Sequence, residues 1–218
     1  MQSGLGPDSV PLFPQVTWES LDPRSIERLP YPGFRPSGSW RLTTEGRVHG
    51  LSPDGDRWQD RSTGDLVTIA DRHLVLAYGS NLDPLKLQDK LLSHAGGELY
   101  AISAAVYGWG AVWCAVRRSD GSCTATLVPY PDSVEVHAVL AVTRKQLERM
   151  DDWEGHPRWY RRIRHSGTVK LENGTGPAVE VYLGTPERRP ALVQDGRLFR
   201  LRECPYDQID VLIDGGVW

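Results

Sequence analysis

Two features of this chain can do chemistry: a glutamate at the end of a helix, and a glycine-containing turn between a strand and a helix. The glutamate is Glu154. Thr143 with Gln146 three residues on is a capping box, Gly155 is a natural C-terminal stop, and Leu147 and Met150 mark an apolar stripe, so the spacing predicts a helix from Arg144 to Glu154. Glu154 lies four residues after Met150 and seven after Leu147, on the stripe that faces the core. Glutamate is rarely buried without a partner. Burial and the negative helix end both disfavour its charged form, which pushes its pKa toward general acid/base work at neutral pH. The same spacing fits equally well a carboxylate at a frayed helix end that points to water.

The turn is Tyr78-Gly79-Ser80-Asn81-Leu82. It closes the apolar run Leu74 to Tyr78, which is of buried-strand type. A helix follows, with Asp83 as N-cap, Pro84 at its first position, Leu87 and Leu91 on one face, and Gly96 as the stop. Backbone N–H groups converge at such a turn and, with the positive helix end, bind anions. Glycine allows close approach of a ligand and tolerates a positive φ. Ser80 and Asn81 add polar groups. Many strand-to-helix turns of this kind bind nothing, and this one is neither a Walker loop nor a dinucleotide fingerprint.

The elements that must position these residues are mostly strands. Gly110 to Val116, Cys123 to Val128 and Val134 to Val142 are separated by turn signals at Ser119-Asp120-Gly121 and Pro131-Asp132. Tyr160 to Leu171 and Ala178 to Leu183 follow, joined at Asn173-Gly174, and Pro205 to Ile213 forms a last short helix. The pattern predicts an α+β fold over residues 73–218, largely antiparallel strands with a few helices and a sheet curled toward a small β-barrel. Residues 1–72 are dense in Pro, Gly, Ser and Asp, which predicts an irregular extension. That extension carries Trp18, Trp40 and Trp58, so it is expected to dock on the main domain.

Composition excludes several classes. Of 218 residues, 39% are hydrophobic and 24% charged, with a net charge of -3, so neither disorder nor a nucleic-acid footprint is expected. The chain has no apolar run long enough for a membrane helix, and Met1 to Pro14 lacks the pattern of a signal peptide. Cys114, Cys123 and Cys204 form no C-x-x-C pair, and the six histidines are scattered, so a metal site is not expected. Reduced thiols and a cytoplasmic location are the simplest expectation.

Taken together, Ala77-Tyr78-Gly79-Ser80-Asn81-Leu82, then Met150-Asp151-Asp152-Trp153-Glu154-Gly155 roughly seventy residues later, and then Tyr160-Arg161-Arg162 resemble the γ-glutamylcyclotransferase superfamily. The resemblance covers Leu74 to Leu183, and more loosely Pro205-Tyr206. It implies a small mixed barrel with flanking helices. It also implies that Glu154 is the catalytic acid/base, that Tyr78, Gly79, Ser80, Asn81 and Leu82 grip a γ-glutamyl group, and that Tyr160 is a pocket tyrosine. The implied reaction closes the γ-glutamyl group to 5-oxoproline and releases an amine, amino acid or peptide, with no cofactor and no metal. The implied partner is therefore a small molecule, and oligomeric state is left open.

Three departures stand out. Met150 replaces the usual leucine, the N-terminal extension is long, and His137 stands where many members have glycine. Alternation along Val134 to Val142 puts His137 with Glu135 and Val139, opposite Val134, Val136, Ala138 and Leu140. There it either enters the pocket and narrows the substrate range, or sits outside it. Two other functions share the pattern: a non-enzymatic binding domain, and an enzyme that cleaves or transfers a different amide.

Overall fold

The computed structural model describes Phe13 and residues 16–215. Within the segment expected to be irregular it shows five short strands: β1 (Ser20–Leu21), β2 (Ser39–Leu42), β3 (Val48–Asp54), β4 (Arg57–Asp60) and β5 (Leu66–Val67). The density of glycine and proline marks tight hairpins here, not lack of structure. β2 through β5 pair antiparallel in succession, and β2 also pairs with a central strand through Trp40↔Ala101. Trp40 and Trp58 are 1% exposed, and aromatic burial on this scale fixes the segment to the rest of the molecule.

The centre consists of β6 (His73–Ala77), β7 (Leu99–Trp113) and β8 (Ala125–Val142), with β8 between the other two. Where they run side by side, from Val75 to Ala77, Leu99 to Val106 and Ala138 to Val142, these strands are buried on both faces. On β6, Leu76 points into one apolar cluster with Ile102 and Val139; Val75 and Ala77 point into another with Leu140, Leu147 and Met150. Two-sided burial explains why the run reads as continuous apolar sequence.

Beyond β6 the sheet continues through β11 (Glu180–Gly184), which is parallel to β6, to β9 (Tyr160–Arg164). β10 (Thr168–Leu171) pairs instead with β7. Tyr160 to Leu171 is therefore two strands in different parts of the sheet, not one. The path from β5 to β9 does not return on itself, so the expected barrel is not closed. The outer edge of β7 is divided between β2 and β10, and past the register shift at Tyr107/Trp109 it meets only isolated bridges. β12 (Val193–Gln194) and β13 (Arg197–Leu198) form a separate hairpin.

The helices stand where the spacing puts them. α1 (Pro84–Leu87) is capped by Asp83, runs into a π turn (Gln88–Leu92), and ends in α2 (Ser93–Ala95) at Gly96, φ 66°. α3 (Arg144–Glu154) has the full Thr143/Gln146 capping box and the left-handed Gly155 cap. α4 (Tyr206–Gly215) closes the described chain. None of these is long and apolar enough to cross a membrane.

Candidate active site

The loop after β6 and the end of α3 meet at a cavity of about 330 Å³, within the size range of small-molecule sites. Tyr78, Gly79, Ser80, Asn81, Glu154 and Tyr160 all line it. Of the residues expected in the site, only Leu82 does not. Its side chain is 6% exposed and packs with Leu87, Leu91 and Met150. Its N–H, like that of Asp83, is used within the Ser80–Leu82 turn, on the carbonyls of Gly79 and Ser80. Among the described residues, the N–H groups of Gly79, Ser80 and Asn81 have no acceptor, so these three are the loop's available anion donors.

Gly79 is not needed for a positive φ, since its φ is −119°. It is needed for space: a β-carbon there would stand 2.5 Å from the hydroxyl of Tyr31. Gly155, by contrast, has φ 61°, and a β-carbon would also meet the Trp159 ring at 2.5 Å. That sharp turn leaves Glu154 as the last helical residue.

Glu154 is half-buried, and Asn81 holds it: Nδ2 donates to Glu154 Oε1 at 2.9 Å. The other end of the same carboxamide, Oδ1, accepts from Lys90 Nζ at 3.1 Å. An ammonium can only donate, so Lys90 dictates which way the Asn81 amide faces and presents its NH2 to the carboxylate. Lys90 is 6% exposed and lies in the π turn, with Nζ 4.5 Å from the centre of the Trp153 ring. Burial pushes its ammonium down to about 8, against the opposing pull of Glu154. π turns often sit at functional positions, and here Ser93 Oγ donates to the carbonyls of Gln88 and Asp89.

The tyrosines are tied into the walls. Tyr78 Oη donates to the Tyr182 carbonyl at 2.5 Å, and Tyr160 Oη to the Ala125 carbonyl at 3.0 Å. Burial raises both phenols, so they stay protonated. Tyr31, Lys90, Trp153, Arg118, Tyr182 and Arg189 also line the cavity and were not found from sequence. A signal existed for Lys90, which stands three residues after Leu87 on the helix face turned to the core. No local pattern marks Tyr31, whose role depends on a contact far along the chain.

His137 is outside this cavity. Its Nε2 bonds Glu135 Oε2 at 3.0 Å, and Glu135 also pairs with Arg200 Nη2 at 2.5 Å and accepts from Ala111 N at 2.9 Å. Against the cost of burial, these donors hold Glu135 down to about 2. The glycine-to-histidine departure thus belongs to a buried ion-pair network and does not enter the pocket. Among the described residues, no group of three or more His, Cys, Asp or Glu side chains is placed to hold a metal.

A carboxylate held by an amide and a loop with unpaired backbone donors thus line one cavity. The chain belongs to the gamma-glutamyl cyclotransferase, AIG2-like family, whose profile matches residues 75–206. No curated protein matches it. Solved structures that resemble it include a gamma-glutamyl cyclotransferase (20% identity, TM-score 0.42), covering 52% of this chain and 66% of that one, just under two thirds of its length. Another is a mouse aig2-like protein (17% identity, TM-score 0.40; 59% of this chain, 95% of that one). A third is a yeast gamma glutamyl cyclotransferase specific to glutathione (16% identity, TM-score 0.40; 66% and 86%).

Proposed function

We propose that this protein cyclises the γ-glutamyl group of a small molecule to 5-oxoproline and releases the attached amine, amino acid or peptide, with Glu154 as general acid and base. The observation that carries this is the hydrogen-bonded line Lys90–Asn81–Glu154 beside the unpaired N–H groups of the loop.

The chemistry follows from these groups. The substrate's α-ammonium loses a proton to the Glu154 carboxylate, whose Oε1 is fixed by Asn81. The freed amine attacks the side-chain amide carbon, a ring C–N bond forms, and the carbonyl oxygen becomes an oxyanion. The N–H groups of Gly79, Ser80 and Asn81 are suited to that oxyanion or to the α-carboxylate. Collapse breaks the bond to the leaving nitrogen, which takes back the proton held by Glu154, and the ring nitrogen then gives its second proton through the same carboxylate to the released amine, leaving a neutral lactam and an ammonium. Proton count balances within the substrate and one carboxyl group, so the reaction needs no cofactor. Much of the rate comes from holding the chain in its ring-closing pose.

Cys114 and Cys204 are free and buried, which supports a reducing, cytoplasmic setting. The test is a panel of γ-glutamyl amino acids, γ-glutamyl amines and glutathione incubated with the protein and assayed for 5-oxoproline. Formation with one class identifies the leaving group. Release of the amine with a different acyl product, or binding with no product, rejects the cyclisation.

A further inference from the structure

Four tyrosines line the cavity, and three of them have an acceptor for the hydroxyl proton. Tyr78 and Tyr160 donate to backbone carbonyls, and Tyr182 donates to Asp151 Oδ1 at 2.8 Å. Tyr31 differs. Its oxygen accepts from Ala125 N at 3.1 Å, and its own proton has no acceptor among the described residues. An O–H group that is already accepting and faces a polar cavity is a donor in waiting.

Its position is as specific as its bonding. The 2.5 Å between its hydroxyl and a β-carbon at Gly79 puts the O–H directly against the loop that carries the unpaired N–H groups. The ring is packed on Trp113, with centroids 5.4 Å apart, and lies under Lys86 Nζ at 5.6 Å. Arg35, four residues on, donates to the Tyr78 carbonyl at 3.4 Å, so this stretch is also hydrogen-bonded to the end of the strand that leads into the loop. Burial raises the Tyr31 phenol above its ordinary pKa, with Cys114 and the Glu154 charge adding to it, so it remains a donor at neutral pH. Tyr31 lies outside the residues 75–206 that match the family.

We infer that Tyr31, supplied by the N-terminal segment, donates a hydrogen bond to an oxygen of the γ-glutamyl moiety and completes the donor set of Gly79, Ser80 and Asn81. The inference rests on the cyclotransferase reading. The acceptor is either the α-carboxylate or the oxyanion, which share the same chemistry, and steady-state kinetics tells them apart.

Tyr31→Phe keeps the ring and removes only the O–H. The expected result is a fall in kcat/KM of about ten- to a hundredfold, the range for a hydrogen bond to a charged group. A fall carried by KM assigns the α-carboxylate, and one carried by kcat assigns the oxyanion. Loss of the acceptor for Ala125 N lowers the melting temperature but does not by itself change either constant. Gly79→Ala provides the second variant. Its β-carbon collides with the Tyr31 hydroxyl but would stand 3.5 Å from the ring carbon beneath it, an ordinary contact. Gly79→Ala should therefore lose activity in the wild-type background and cost little more in Tyr31→Phe. Wild-type protein that forms 5-oxoproline while Tyr31→Phe retains its kcat and KM overturns this inference alone. Wild-type protein that neither turns over nor binds any γ-glutamyl compound overturns it together with the reaction.

Discussion

Replacing Lys90 by methionine should separate stability from activity in one variant. Burial lowers the ammonium from its ordinary 10.5 to about 8. The depressed pKa means that the unfolded chain binds the proton more tightly than the folded one. The charged lysine therefore penalises folding below pH 8, and the penalty fades as pH rises through 8 toward 10.5. At about 1.4 kcal/mol per pKa unit, the full penalty is about 3 kcal/mol, of which about 2 kcal/mol is relieved between roughly pH 7 and 9.5. Wild type should thus gain about 2 kcal/mol on Lys90→Met over that interval, whatever their difference at pH 7. Denaturant unfolding of both proteins at the two pH values measures it. Activity should move independently. Without Lys90, the Asn81 carboxamide loses the donor that fixes its orientation, and its oxygen can turn toward Glu154. Loss of one bond to a charged group costs about 1.5–3 kcal/mol, roughly ten- to a hundredfold in kcat/KM, and Lys90→Arg should recover part of it. A stability difference that does not vary with pH, or undiminished turnover in Lys90→Met, would refute the role assigned to Lys90.

Two further outcomes follow from the packing. Gly79→Val should raise KM and lower kcat together, with a smaller effect on melting temperature, because its side chain drives into the Tyr31 hydroxyl at the cavity wall; normal kinetics would mean that the loop does not meet substrate. His137→Gly should leave the range of accepted leaving groups and the neutral pH–rate curve unchanged, but destabilise the protein by about 2 kcal/mol or more through the Glu135–Arg200 network, as shown by unfolding in denaturant. Glu135, held near 2, contributes stability that is present above the ordinary glutamate pKa and lost as pH falls toward 2, so the two proteins should converge in acid.

The sequence was most legible where local chemistry decides structure. The capping box, the apolar stripe and the glycine stop give α3 with its observed ends, and they leave Glu154 at the cavity. The strand–loop–helix around Tyr78 to Gly96 is equally local, although the π turn within it is not foreseen by propensity. The strands that escaped notice lack alternation for identifiable reasons. The first part of β7, from Leu99 to Val106, is buried throughout, so it shows no polar face. β2 to β5 are short and set between glycines at positive φ, such as Gly46 and Gly55, so their turns dominate the composition. A turn was expected at Pro131-Asp132, where Asp132 does have φ 62°, yet β8 continues through it across a bulge. Tyr31 and His137 show the limit from both sides. Tyr31 enters the site by a contact with residues far along the chain, and His137 leaves it because Glu135 and Arg200 hold it elsewhere.

The most direct test of the account is Glu154→Gln, assayed for 5-oxoproline on whichever γ-glutamyl compound the wild-type protein turns over. The amide keeps the shape of the side chain and its contact with Asn81, but it cannot take the ammonium proton. The fold should persist with a similar melting temperature and substrate should still bind. The rate should fall by about 10²–10⁴-fold, as expected for loss of a general base. A correctly folded variant that keeps more than about a tenth of the wild-type rate, short of that range, would contradict the assignment of Glu154 as the proton-transferring group.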